Sequence, residues 1–124
     1  MERIRILGAG LAGLTVAINL SKAGYKVEVF EKNKDVGQRF HGDLQGLENW
    51  SEKGDILEEL EKMNIDINFD CDPFSRLALT NGSITREIIA QRPLFYLVKR
   101  GSLPGSLDQG LKIQALEGSI MKFV

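Results

Sequence analysis

Three glycines, Gly8, Gly10 and Gly13, stand in the order Gly-x-Gly-x-x-Gly within RIRILGAGLAGLTVAINL, and a carboxylate, Glu31, follows 18 residues after the last of them. These residue types at this spacing suit the holding of a pyrophosphate and a ribose. Gly8 permits a sharp exit from a strand. Gly10 lets the backbone close on phosphate oxygens with no Cβ in the way, and Gly13 lets a helix lie tightly on a sheet. The start of that helix, at Leu11 and Ala12, offers unpaired N–H groups and partial positive charge to an anion. An acid about 20 residues on accepts hydrogen bonds from ribose hydroxyls, and here Lys32 follows it directly.

Such a turn works only between a strand and a helix, and the flanking residues predict both. Ile4 and Ile6 alternate with Arg3 and Arg5 up to Leu7, the period of a strand. Leu11–Lys22 lacks proline and places Leu11, Leu14, Ala17, Ile18 and Leu20 at helical spacings. Ala23-Gly24 ends that helix, and Val27, Val29 and Phe30 form a second strand that stops at Glu31. Arg5 is out of place in a strand buried on both faces, so either its guanidinium reaches past the strand end or one sheet face is partly open.

Beyond Glu31 the pattern changes. EKNKDVGQRFHGDLQGLENW is polar and glycine-punctuated, with no helical stripe between Lys32 and Trp50. A short helix is predicted near Asp55–Met63, with Ile56, Leu57, Leu60 and Met63 on one face and a solvated charged face at Glu58–Lys62. Ile65, Ile67 and Phe69 alternate as a strand, and RLALTNGSITREI reads as a hairpin with a type I′ turn at Asn81-Gly82. PLFYLVKR predicts a strand ending on Arg100, Ser106–Leu116 a helix, and SIMKFV a final strand. No repeat, low-complexity tract or linker marks a second domain.

Composition bounds the function classes. Sixteen basic and 17 acidic residues leave a net charge of −1, so no bulk attraction to nucleic acid or an anionic membrane is expected. The single cysteine, Cys71, excludes an internal disulfide and suits a reducing, cytoplasmic setting. No apolar run reaches the length of a membrane span, and the glycines interrupt any signal-peptide core. One histidine, His41, and one cysteine make a poor ligand set, so no metal is expected. His41 is expected to be an exposed loop residue, Cys71 a partly buried small residue, and Trp50 a packing partner of the short helix.

The stretch ILGAGLAGLTVAINLSKAGYKVEVFEKNKDVGQRF resembles the N-terminus of FAD-dependent oxidoreductases of the glutathione-reductase-like fold, most closely the geranylgeranyl reductase and p-hydroxybenzoate hydroxylase branch. The resemblance implies that the glycine turn grips the FAD pyrophosphate and that Glu31 binds the adenosine ribose. VGQRF falls where that family has a Gly-Gly-Arg-like element, which implies Arg39 as the candidate for a further phosphate contact; here Gln38 departs from the family's second glycine. YLVKRGSLPGSLDQGL resembles the family's strand-then-arginine segment and a helix opening Asp-x-x-Leu (Asp108 and Leu111), which brings Arg100 to the pyrophosphate. SIMKFV would then be the third parallel strand, beside Val27–Phe30.

The expected fold is therefore α/β: a Rossmann-like FAD/NAD(P)-binding βαβ core with an inserted β-hairpin region, an incomplete domain. Residues 1–124 are expected to be the N-terminal part of that domain, without the substrate domain. The expected ligand is FAD, held by its ADP half at Gly8, Gly10, Leu11, Ala12, Gly13, Glu31, Lys32, Arg39 and Arg100, with no catalytic residue identified and no turnover by the 124-residue chain alone. The alternatives are a non-enzymatic NAD- or ADP-binding sensor and an inactive remnant. Glu31 favours NAD over NADP, because a carboxylate repels a 2′-phosphate. Self-association, or a missing C-terminal partner segment, is expected at any uncovered edge.

Overall fold

The alternating β-branched run Arg3–Leu7 (β1) pairs in parallel with Lys26–Glu31 (β2), and β2 pairs in parallel with Ser119–Phe123 (β8). The result is a three-stranded sheet of order β1-β2-β8, with Leu11–Lys22 (α1) connecting the first two strands. The computed structural model describes residues 2–124.

The second crossover is long. Its closing helix, Leu107–Leu116 (α3), packs beside α1 and leads into β8, while the segment before it folds separately. In that segment His41–Glu48 (β3) and Cys71–Phe74 (β4) flank Phe95–Gly101 (β7) in an antiparallel sheet of order β3-β7-β4. Ile56–Lys62 (α2) lies between β3 and β4, and Arg76–Thr80 (β5) with Thr85–Ile89 (β6) forms a two-stranded ribbon. The third parallel strand and its helix are thus present; an inserted β-region separates them from β2.

The core sits where α1 and α3 cover one face of the parallel sheet. Leu14, Ala17 and Ile18 of α1 meet Val27 and Val29 of β2, and Leu107, Leu111 and Ala115 of α3 complete the cluster with Val36, Ile65, Phe69 and Val98. Leu14, Ile18 and Val29 are at most 1% exposed, and burying a side chain of this size contributes about 1.5–3 kcal/mol. The opposite sheet face is open. Arg3, Arg5 and Lys122 converge there on Glu28, at 3.2, 3.6 and 2.9 Å, which accounts for an arginine in β1.

Four expectations are corrected. Ile65–Phe69 forms no strand: Ile65 and Phe69 drop into the core, Ile67 stays outside, and the alternation belongs to a loop. His41–Glu48 forms a strand the polar composition concealed, because its partner β7 lies far along the chain. The hairpin 76–89 exists, but its turn is not type I′. Only Gly82 has positive φ, and the side chain of Asn81 accepts the amides of Ser83 and Ile84 instead. Trp50 is 62% exposed; Asn49 takes the inward position, accepting the amide of Ile56 and donating to the carbonyl of Pro93. His41 is exposed as expected, although in a strand.

Candidate functional site

The glycine turn is built as its sequence predicts. Gly8 leaves β1 with φ of +101°, a conformation that favours glycine, and its amide donates to the carbonyl of Phe30 at 2.7 Å. A Cβ at Gly13 would stand 2.2 Å from the carbonyl oxygen of Gly8, so the helix lies against the turn as only glycine allows. Gly10 differs. Its φ is an ordinary −73°, and a Cβ there would meet no atom of the chain within 4 Å. Neither strain nor packing within the protein requires a glycine at this position, and the space beside its Cα is open.

Gly10 is also the N-cap of α1, with no side chain capping it and no acid in the first turn. The amides of Leu11, Ala12 and Gly13 therefore begin the helix without intrahelical acceptors. The side chain of Leu11 packs toward the core, so this residue offers only its backbone to a ligand.

Glu31, at the tip of β2, is 8% exposed. Its two oxygens accept the amides of Ala9 and Asn33, at 2.8 and 2.9 Å, and this ties the strand end to the glycine turn. A carboxylate has about four acceptor sites, so about two remain for hydroxyl donors.

Two clefts meet at this carboxylate. One, of about 350 Å³, is lined by Gly10, Glu31, Gly37, Arg39, Phe40 and Arg100, among others. The other is an open groove over Leu7, Gly8, Phe30, Lys32 and Val124, with an apolar side. Glu31 and Asn33 belong to both.

Arg39 and Arg100 come together because two backbones touch. A Cβ at Gly37 would lie 2.6 Å from the carbonyl carbon of Gly101, so the loop after β2 can rest on the end of β7 only through glycine. Asp35 fastens the same loop to α3, accepting Lys112 Nζ at 2.7 Å and Gln109 Nε2 at 3.0 Å. Burial pushes the Asp35 carboxyl up, but the bonds from Lys112, the Val36 amide and Gln109 outweigh it and hold the group below its ordinary value. Arg100 stacks on the Phe40 ring at 4.0 Å, with Arg39 on the same ring at 5.7 Å. Arg39 has no carboxylate within 4 Å among the described residues, so its charge is uncompensated at the cleft.

The structure thus brings Gly10, Glu31, Arg39 and Arg100 to one cleft, and places Gly8 and Lys32 in the adjoining groove. Leu11, Ala12 and Gly13 line neither and take part through the helix start. The sequence reading overlooked Asn33 and Phe40, and it noted Asp108 only as part of a motif. No local pattern marks the first two; the fold alone brings them to the cleft. Cys71 stands apart in β4, half-buried, its thiol pushed up by burial and by Asp72 and Asp55, which disfavours the thiolate a nucleophile needs. No cluster of metal-ligating side chains occurs among the described residues.

Comparison with known proteins agrees with this geometry. Residues 6–45 match the NAD(P)-binding Rossmann-like domain. The chain is 32% identical over 100 residues to flavin-containing monooxygenase FMO GS-OX-like 9 of Arabidopsis thaliana, covering 81% of this chain and 20% of that protein. It is 49% identical over 41 residues to 1-hydroxycarotenoid 3,4-desaturase of Flavobacterium sp. (strain P99-3), covering 33% and 8%. Among solved structures, the tetrameric form of 2-methyl-3-hydroxypyridine-5-carboxylic acid oxygenase superposes with a TM-score of 0.74 at 20% identity, over 99% of this chain and 31% of that one. The p-nitrophenol 4-monooxygenase PnpA of Pseudomonas putida DLL-E4 gives 0.70 at 16%, over 99% and 32%. The chain spans a fifth or less of the length of these two curated relatives and about a third of these two solved chains. With its strand–glycine turn–helix–strand unit and acid in place, the chain has a Rossmann-like fold that matches the NAD(P)-binding Rossmann-like domain over residues 6–45 and is shared with these solved structures.

Proposed function

We propose that this module holds FAD by its ADP half, with Glu31 as the pivot. The observation that carries the reading is the place of Glu31 at the junction of the two clefts, with acceptor sites to spare. A ribose on this carboxylate directs its phosphates toward Gly10, the amides of Leu11 and Ala12, and the guanidinium groups of Arg39 and Arg100. Its base then lies over the groove of Leu7, Phe30 and Val124, beside Lys32. Gly8 and Gly13 shape the turn. When bound, FAD supplies the redox chemistry of its isoalloxazine ring; the residues described here bind and orient the nucleotide end.

The resemblance to the geranylgeranyl reductase and p-hydroxybenzoate hydroxylase branch, together with oxygenases and monooxygenases among the structural neighbours, supports residues 1–124 as part of an FAD-binding domain. The lone unpaired cysteine supports a cytoplasmic setting, and no described helix is long and apolar enough to cross a membrane. Binding of NAD by the same turn is the second reading, favoured by the matched domain's own description.

Quenching of FAD fluorescence by the purified chain, with ADP and NAD as competitors, tests the proposal. Saturable quenching reversed by ADP is expected. Binding of NAD with indifference to FAD transfers the reading to a nicotinamide-dinucleotide sensor, and silence from all three overturns it.

A further inference from the structure

Arg100 is held more tightly than a surface cation would be. Asp108, 1% exposed in the first turn of α3, accepts Arg100 Nε at 2.9 Å and Nη2 at 3.2 Å, and the same carboxylate accepts the amide of Gly101 at 2.9 Å. Gln45 takes Nη1 at 2.7 Å, and Phe40 covers one face of the guanidinium. A guanidinium has five N–H donors. Three are used, which leaves one N–H on each of Nη1 and Nη2, and Arg100 lines the cleft together with Asp108. A buried ion pair is a weak source of stability, since a well-packed apolar pair often serves as well. Fixing a planar, two-donor edge beside an anion site is a task that an apolar pair cannot perform.

We propose that Asp108 is a positioning residue: through Arg100, braced on Phe40 and Gln45, it presents two fixed N–H donors to a phosphate of the bound nucleotide. The inference rests on the dinucleotide reading of the cleft. Because Asp108 also cancels the charge of Arg100, the pair contributes direction, and the uncompensated charge at the cleft is that of Arg39.

The test is competition against FAD by ADP and by adenosine, for the wild-type 124-residue chain and for Asp108→Asn, Arg100→Gln and the double variant. Asp108→Asn keeps an acceptor for the Gly101 amide and removes the charge and the second acceptor. Its ADP affinity is expected to fall about tenfold, the worth of a hydrogen bond to a charged group, with adenosine affinity unchanged. Arg100→Gln should show the same selective loss, and the double variant no more than Arg100→Gln alone. Equal losses for ADP and adenosine, or a further full loss in the double variant, would show Asp108 to be structural only and overturn the proposal. If circular dichroism finds Asp108→Asn unfolded, Phe40→Leu replaces it: a loss confined to ADP supports the brace, and an unchanged preference for ADP over adenosine refutes it. A wild-type chain that binds none of these ligands overturns the dinucleotide reading, and this inference falls with it.

Discussion

Gly10 and Gly13 belong to one motif and carry different physics, which makes them separable by experiment. A side chain at Gly10 enters open space, so Gly10→Val should leave the melting temperature nearly unchanged and abolish FAD quenching. A side chain at Gly13 collides with the backbone of Gly8, so Gly13→Ala should destabilise the fold by about 2 kcal/mol, within the range for overpacked sites, as read from a denaturant midpoint. Arg39 offers a third test: Arg39→Ala should weaken ADP about threefold to tenfold at low ionic strength and less at high salt, because exposed charges are screened. Much of this was legible in the sequence, since a glycine turn and its acid are short-range signals with fixed geometry. The company of Arg100 was not. Phe40, Gln45 and Asp108 reach it from three different segments, and no spacing in the chain announces that.

The βαβ unit could be read because its strands alternate and its helix is bounded by glycines, all within 31 residues. Strand β3 could not, because HGDLQGLE has no apolar period of its own and becomes a strand only against β7. The loop 65–69 misled for the opposite reason, with an alternation produced by two residues seeking the core. The short helix α2 was legible through the apolar face of Ile56, Leu57, Leu60 and Met63; the structure adds Asp55 as its N-cap, whose carboxylate accepts the amide of Leu57 and, at 2.7 Å, the hydroxyl of Tyr96. Burial pushes Asp55 up, but those bonds and one from Asn49 outweigh it and hold the carboxyl below its ordinary value. Burial and the same carboxylate push the Tyr96 phenol up to about 12. A lowered carboxyl gives stability that is present above its unfolded pKa, about 3.9, and is lost as pH falls through the folded value. Stability should therefore drop below about pH 4, and Asp55→Asn should flatten that drop in denaturant midpoints measured across pH. The raised phenol adds stability that is full below about pH 10 and disappears as pH rises toward 12.

Taken together, the chain covers one face of its parallel sheet and leaves the other to Arg3, Arg5, Glu28 and Lys122. Lys122's hydrogen bond holds the Glu28 carboxyl below its ordinary value, against the burial that would raise it. The ribbon β5–β6 is uncovered as well, with Leu79, Ile84 and Ile89 each more than half exposed. A two-stranded ribbon is marginal in water. Amides of residues 76–89 should therefore exchange with deuterium far faster than those of β2, and Leu79→Lys with Ile89→Lys should reduce any concentration-dependent self-association seen by sedimentation. The long insertion before α3 separates the third parallel strand from β2 along the chain, yet the final strand was placed correctly beside β2 from the sequence. The most direct measurement of the central claim is the set of backbone amide chemical shifts of the labelled chain as ADP is added. The account predicts the largest changes at residues 9–13, 31–33, 39–40 and 100–101. Changes absent there, or gathered instead around α2 and the ribbon, would contradict it.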